Sequence, residues 1–215
     1  MGAYAEAYYK RELANSISHG FGVIFGIIAL PVAMALAVRT NSVEYTIGAA
    51  IYSTTFLMVF LTSTIYHSIH EIKIKRIFQV LDHISIYFLI AGSYTPFVLL
   101  FLNTNPGWTL LIVIWCMVFF GSIWKVFYTD RWKKVSTGLY LLMGWMIILV
   151  AEPFFANTPK ICLYWLTAGG LFYTVGVIFF VWKRFLHHHL IWHIFVLLGS
   201  ISHYIAVIYA ISSKI

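Results

Sequence analysis

The chain has 215 residues, of which 61% are hydrophobic, 19% aromatic and only 10% charged, with a mean hydropathy of +0.88. So few charges exclude a water-soluble domain, and apolar runs this continuous exclude a transmembrane barrel, whose strands alternate between lipid and lumen. The net charge of +7 needs no nucleic acid to explain it, because its distribution is that of a collar facing anionic lipid headgroups.

Residues 1–16 carry Glu6, Lys10, Arg11 and Glu12 among Tyr4, Tyr8 and Tyr9. This mixture predicts a short interfacial helix leading into the first span, with tyrosines at headgroup level. Seven apolar runs follow, near 18–38, 45–67, 80–102, 108–129, 136–156, 162–182 and 190–210. Each approaches the roughly 20 residues that cross a bilayer. Short loops join them, so the reading is a single all-α membrane domain, a seven-transmembrane-helix bundle. Pro31 is expected to kink the first span, and Glu152-Pro153 to end the fifth. Gly92, Ser93 and Pro96, Gly169-Gly170 and Gly199-Ser200 are expected to let neighbouring helices approach closely. Cys116 and Cys162 fall at different depths, so no disulfide is expected.

Charge sets the orientation. One side holds Lys10, Arg11, Lys73, Lys75, Arg76, Lys125, Arg131, Lys133, Lys134, Lys183 and Arg184, eleven of the fourteen basic residues; Arg39, Lys160 and Lys214 lie on the other. Basic loops stay in the cytoplasm. The N-terminus is therefore expected inside and the C-terminus outside, in the plasma (inner) membrane. A G-protein-coupled receptor has the opposite orientation. A retinal protein needs a lysine in the middle of its last helix, where this chain has only Lys214 at the very end.

Followed along this topology, the polar residues gather at one depth. His67 and His70 close the second span, Asp82, His83 and Ser85 open the third, and His189 and His193 open the seventh. Ser63 and His67 are four residues apart, as are His189 and His193, so each pair shares a helix face. Glu12, Asn15 and His19 form another stripe that could pack beneath the site. An i, i+4 histidine pair can bite one ion, and a histidine from a facing helix completes three protein ligands. With a fourth position left open, that is the pattern of a catalytic zinc site. Ionisable groups at membrane depth are costly and mark functional sites. Asp82 therefore needs a partner, either the metal with its water or a salt bridge to Arg76 or Lys75. His70 and His187 read as headgroup-level residues, and His83 and His188 as loop residues or supports behind the ligands. His203 lies too deep for the same ion and is expected to hydrogen-bond another helix or line a cavity.

Six segments carry a resemblance that spans nearly the whole chain: Glu12-Leu13-Ala14-Asn15-Ser16-Ile17-Ser18-His19-Gly20, Ser63-Thr64-Ile65-Tyr66-His67, Leu81-Asp82-His83, Gly92-Ser93-Tyr94-Thr95-Pro96-Phe97, His189-Leu190-Ile191-Trp192-His193 and Gly199-Ser200-Ile201-Ser202-His203-Tyr204. The sequence resembles the hemolysin III family, within the progestin and adiponectin receptor superfamily. That resemblance implies a seven-helix bundle with its N-terminus inside and zinc held by His67, His189 and His193. It also implies that Asp82 meets the metal through water, with Ser63 behind it. The wider superfamily, which includes alkaline ceramidases, is associated with metal-dependent hydrolysis of lipid amides. Receptor members carry a long soluble N-terminal region that this chain lacks, which argues against hormone binding and adaptor recruitment.

Three functions follow as expectations. One is a zinc-dependent intramembrane hydrolase of a lipid amide or ester, with Asp82 and Ser63 as its catalytic residues and membrane lipid as its partner. The second is a non-catalytic sensor of membrane lipid composition with structural zinc. The third is a pore-forming cytolysin, which the absence of a continuous polar stripe on any predicted span disfavours.

Overall fold

A computed structural model describes residues 3–129, 131–182, 184 and 186–215, with side chains from residue 5 onward. Tyr4, as a headgroup tyrosine, and Lys183, as part of the basic collar, fall outside the described side chains. The helices are α1 (Ala3–Arg39), α2 (Val43–Ser68), α3 (Ile72–Phe101), α4 (Asn105–Tyr128), α5 (Lys133–Trp145), α6 (Ala151–Asn157), α7 (Lys160–Val181) and α8 (His188–Ser212). A 3-10 segment, Met146–Val150, joins α5 to α6. Counting α5 through α6 as one span, seven segments are long and apolar enough to cross a membrane.

The helices begin and end where local chemistry allows. Ser42 caps α2 through the Tyr45 amide, and the Glu71 carboxylate caps α3 by accepting from the Lys73 and Ile74 amides at 3.0 and 2.7 Å. This cap starts α3 eight residues before the apolar run at residue 80, because Ile72–Gln79 is helical but too polar to register as a span. Pro106 occupies the first turn of α4, where a missing N–H costs nothing.

Two further differences from the sequence reading position the site. Residues 3–16 are not a separate interfacial helix, because α1 runs unbroken from Ala3 to Arg39. Asn15, Ser16 and His19 are buried, and the Ser16 hydroxyl bonds Ser68 Oγ at 2.7 Å and the Thr64 carbonyl at 3.2 Å. These contacts hold α1 against α2 at the level of residues 15–19, while residues 5–10 are exposed. Tyr8 and Tyr9 remain exposed on its outer side.

The fifth span is broken rather than ended at Glu152-Pro153. It changes from α to 3-10 geometry at Met146 and continues as helix to Asn157. The Tyr94 hydroxyl of α3 contacts the Met143 and Gly144 carbonyls at 2.8 and 2.9 Å and accepts the Ile147 amide at 3.1 Å. Backbone groups freed in an apolar environment need such partners, and one buried phenol supplies them here.

α1 packs on α2 and α8, α2 on α3, α3 on α4, and α7 on α8, so the chain closes around α2, α3 and α8, the most buried spans after α7 joins α8. Exposed isoleucines, phenylalanines and leucines, among them Ile28, Phe119, Phe127 and Leu149, cover the outside. That distribution inverts the pattern of a soluble protein and suits a lipid surround. Close approach depends on glycine at several crossings, Gly92 and Gly169 among them. A Cβ at Gly92 would fall 2.0 Å from Thr55 Oγ1, and one at Gly169 would fall 2.2 Å from the His203 ring. Cys116 and Cys162 are free thiols.

Candidate metal centre

Three spans meet at the end of the bundle where α1 begins, α2 finishes and α8 begins. His67 lies in the last turn of α2, and His189 and His193 lie in the first two turns of α8. Each offers one ring nitrogen, and the three atoms lie within 4.8 Å of one another. Their ring centroids stand 5.3 Å (His67–His189), 5.0 Å (His67–His193) and 4.5 Å (His189–His193) apart. Tetrahedral Zn–N bonds of about 2.0–2.1 Å put ligand nitrogens about 3.3 Å apart, so a small contraction closes the set.

The donor atoms fit a metal. His67 is 3% exposed, and its Nε2 is buried with no hydrogen-bond partner. A lone pair in that state is satisfied by a cation or left at a cost of about 1–3 kcal/mol. His193 is buried as well, with Nδ1 held 3.3 Å from the Asn15 carbonyl and 3.2 Å from Ser18 Oγ. His189, partly buried, rests against Phe180 and His188.

Asp82 of α3 faces the same region without joining the imidazoles as a direct ligand. It lies beside Ser63 and within electrostatic reach of His67 and Lys125. The Ser63 hydroxyl is buried and does not complete a well-formed hydrogen bond. Lys75, expected as one possible partner of Asp82, instead pairs with Glu12 at 2.5 Å. Ser85 turns its hydroxyl onto the Asp82 carbonyl at 2.7 Å.

Lys125 departs from its expected place in the basic collar. It is 2% exposed, stands 5.8 Å over the Tyr140 ring and is a cation close to Asp82. Position alone, one turn from the end of α4, gave no signal of this. The stripe of Glu12, Asn15 and His19 does lie behind the cluster, and His19 is buried against His193. Ser18, given no role from sequence, contacts His193, and Lys75, expected at Asp82, contacts Glu12 instead. His70 and His187 are exposed, in keeping with headgroup-level residues. His203 approaches the Leu166 carbonyl at 3.2 Å and lines a cavity, as its depth suggested.

Two cavities adjoin this end and the bundle interior. A polar one of about 340 Å³ opens onto His67 and His189 and is lined by Tyr8, Arg11, Glu12, Asn15 and Tyr66. An apolar one of about 230 Å³ lies among α3, α5, α7 and α8. Gly144, Trp145 and Ile147 from the broken span form part of its wall, and Trp192, which precedes His193, forms another.

These observations define a seven-helix membrane protein with a histidine cluster at one end. A family model described as Haemolysin-III related matches residues 7–204, and the chain belongs to that family. It is 41% identical to Hemolysin-3 of Bacillus cereus over 202 residues, 94% of this chain and 92% of the relative. Against the Hemolysin-3 homolog of Bacillus subtilis (strain 168) it is 40% identical over 200 residues, 93% and 94% of the two chains. It is also 31% identical over 216 residues to the Homo sapiens monocyte to macrophage differentiation factor, covering 96% of this chain and 86% of that protein.

Proposed function

We propose that this protein is a zinc-dependent intramembrane hydrolase acting on a lipid amide or ester. The site would lie at the cytoplasmic face of the plasma membrane. The concentration of basic residues at the histidine end supports that orientation. The observation that carries the reading is the convergence of three imidazoles from α2 and α8 with the carboxyl group of Asp82 on a third helix beside them.

A bound zinc ion would supply Lewis acidity and make water a competent nucleophile near neutral pH. His67, His189 and His193 would hold it, all through neutral nitrogen. Asp82 would take a proton from the attacking water and return it to the leaving group. Ser63 would fix the orientation of that carboxyl group. The apolar cavity would receive an acyl chain, and the polar cavity would leave the headgroup in contact with the interface. A scissile bond would lie between the two, with Trp192 in the apolar wall and His67 and His189 in the polar one.

The test begins with elemental analysis of detergent-purified protein beside His193→Ala, followed by mass spectrometry of lipids before and after incubation. Asp82→Ala should keep its zinc and lose turnover by about 10²–10⁴-fold, the usual contribution of a general base. Full turnover in Asp82→Ala refutes the mechanism.

A second reading has one observation in its favour. The cluster joins α2 to α8, two helices that otherwise touch only sparsely, as a structural metal in a lipid sensor would. Chelation would then lower the unfolding temperature, and no lipid would be consumed at any protein concentration.

A further inference from the structure

Among the described residues, α1 supplies hydrogen bonds behind His67 and His193, and these restrict which nitrogen each of the two can offer. At His193, Nδ1 has two neighbours, the Asn15 carbonyl at 3.3 Å and Ser18 Oγ at 3.2 Å. The carbonyl can only accept. The single proton of Ser18 is already given to that same Asn15 carbonyl at 2.7 Å, so toward His193 the hydroxyl can only accept as well. Nδ1 of His193 must therefore carry the hydrogen, and Nε2 carries the lone pair.

The same logic applies at His67 through a side chain. Its Nδ1 lies 3.4 Å from Glu12 Oε1. Glu12 Oε2 accepts from Lys75 Nζ at 2.5 Å, and an ammonium can only donate, so the carboxyl group is engaged as an acceptor. Nδ1 of His67 donates, and Nε2 is left as the buried atom without a partner. Lys75 also donates to the Tyr66 and Ile69 carbonyls at 3.0 and 3.2 Å. Those are free carbonyls at the end of α2, so the ammonium ties Glu12 to the backbone that carries His67.

We propose that α1 is the positioning element of the metal centre, with Glu12 and the Asn15 carbonyl holding His67 and His193 as Nδ1–H tautomers so that both present Nε2 to the ion. This rests on the metal reading above and adds to it a specific role for α1. It also gives a reason for the burial of Asn15, Ser16 and His19 within the bundle. Partners of this kind fix ring orientation and raise ligand basicity, and their loss usually weakens metal affinity about ten- to a hundredfold. Glu12 is the informative position, because Asn15 acts through its backbone and a side-chain change there leaves the bond in place.

The experiment uses the purified full chain in detergent, stripped with a chelator and titrated with Co2+, whose visible absorption reports ligand number and geometry. Glu12→Ala should weaken Co2+ binding about ten- to a hundredfold and change the spectrum. Glu12→Gln keeps an acceptor oxygen at the same reach and should restore the wild-type spectrum and most of the affinity. The unfolding temperature of each metal-free variant is measured alongside. Wild-type affinity and spectrum in Glu12→Ala, even with a lowered unfolding temperature, overturns the proposal and leaves Glu12 a packing residue. Failure of Glu12→Gln to improve on Glu12→Ala also overturns it, since charge rather than an acceptor would then matter. A wild-type protein that takes up neither Co2+ nor zinc sinks the metal reading itself, a distinct result from either of these.

Discussion

The imidazole of His19 lies flat against that of His193, with ring centroids 3.7 Å apart and planes 23° from parallel. The edge of Phe60 meets its ring at 4.9 Å. α1 thus meets His193 in two ways, through hydrogen bonds on its ring edge and through a stacked ring on its face. Both nitrogens of His19 are buried without hydrogen-bond partners, so within the protein its ring serves as a flat packing surface.

His19→Phe should therefore preserve the stack, remove two unsatisfied polar atoms and unfold at the same or a higher temperature while keeping its metal. His19→Ala should open a cavity behind His193 and cost about 3–5 kcal/mol, as aromatic truncations in cores do. Denaturant unfolding in detergent, with metal content measured on the same samples, checks both. A metal-free but stable His19→Phe protein would show that the ring nitrogens matter after all.

Lys125 of α4 is buried within electrostatic reach of Asp82 of α3. Removing either should leave the other uncompensated, so the two substitutions should not add. A cycle of Asp82→Asn, Lys125→Met and the double variant should give a coupling of about 0.5–3 kcal/mol in unfolding free energy, the range for groups in one network. Simple additivity would show that Lys125 balances some other charge.

Tyr94 holds the broken span open. Tyr94→Phe strips a partner from the Met143 and Gly144 carbonyls and from the Ile147 amide, and should cost about 1–3 kcal/mol. Because the broken segment walls the apolar cavity, uptake of a long-chain acyl probe should fall with it, while metal content stays unchanged. A variant as stable as wild type, with normal probe uptake, would mean the 3-10 segment does not depend on this hydroxyl.

Much of the site could be read from helix spacing. His189 and His193 fall on one face because the helix repeats every 3.6 residues, and an even number of crossings between His67 and His189 returns the chain to the same end. The stripe of Glu12, Asn15 and His19 followed from the same periodicity. Hydropathy alone misplaced the start of α3, since the polar turn Ile72–Gln79 forms a helix without resembling a span. It also missed the break after Trp145, because the residues that stabilise it belong to another helix.

By itself the sequence determined that the chain forms seven apolar helices and which end of the bundle collects its histidines, since length, hydropathy and helical phase are local properties. Tertiary packing alone decided that Asn15, Ser16 and His19 are buried in the bundle, that Lys125 is buried near Asp82 and that Tyr94 meets the broken backbone of a distant helix. Each of these rests on polar groups on separate helices that must be satisfied where water is scarce. The pairing of such groups is a property of the assembled bundle, and no single segment encodes it.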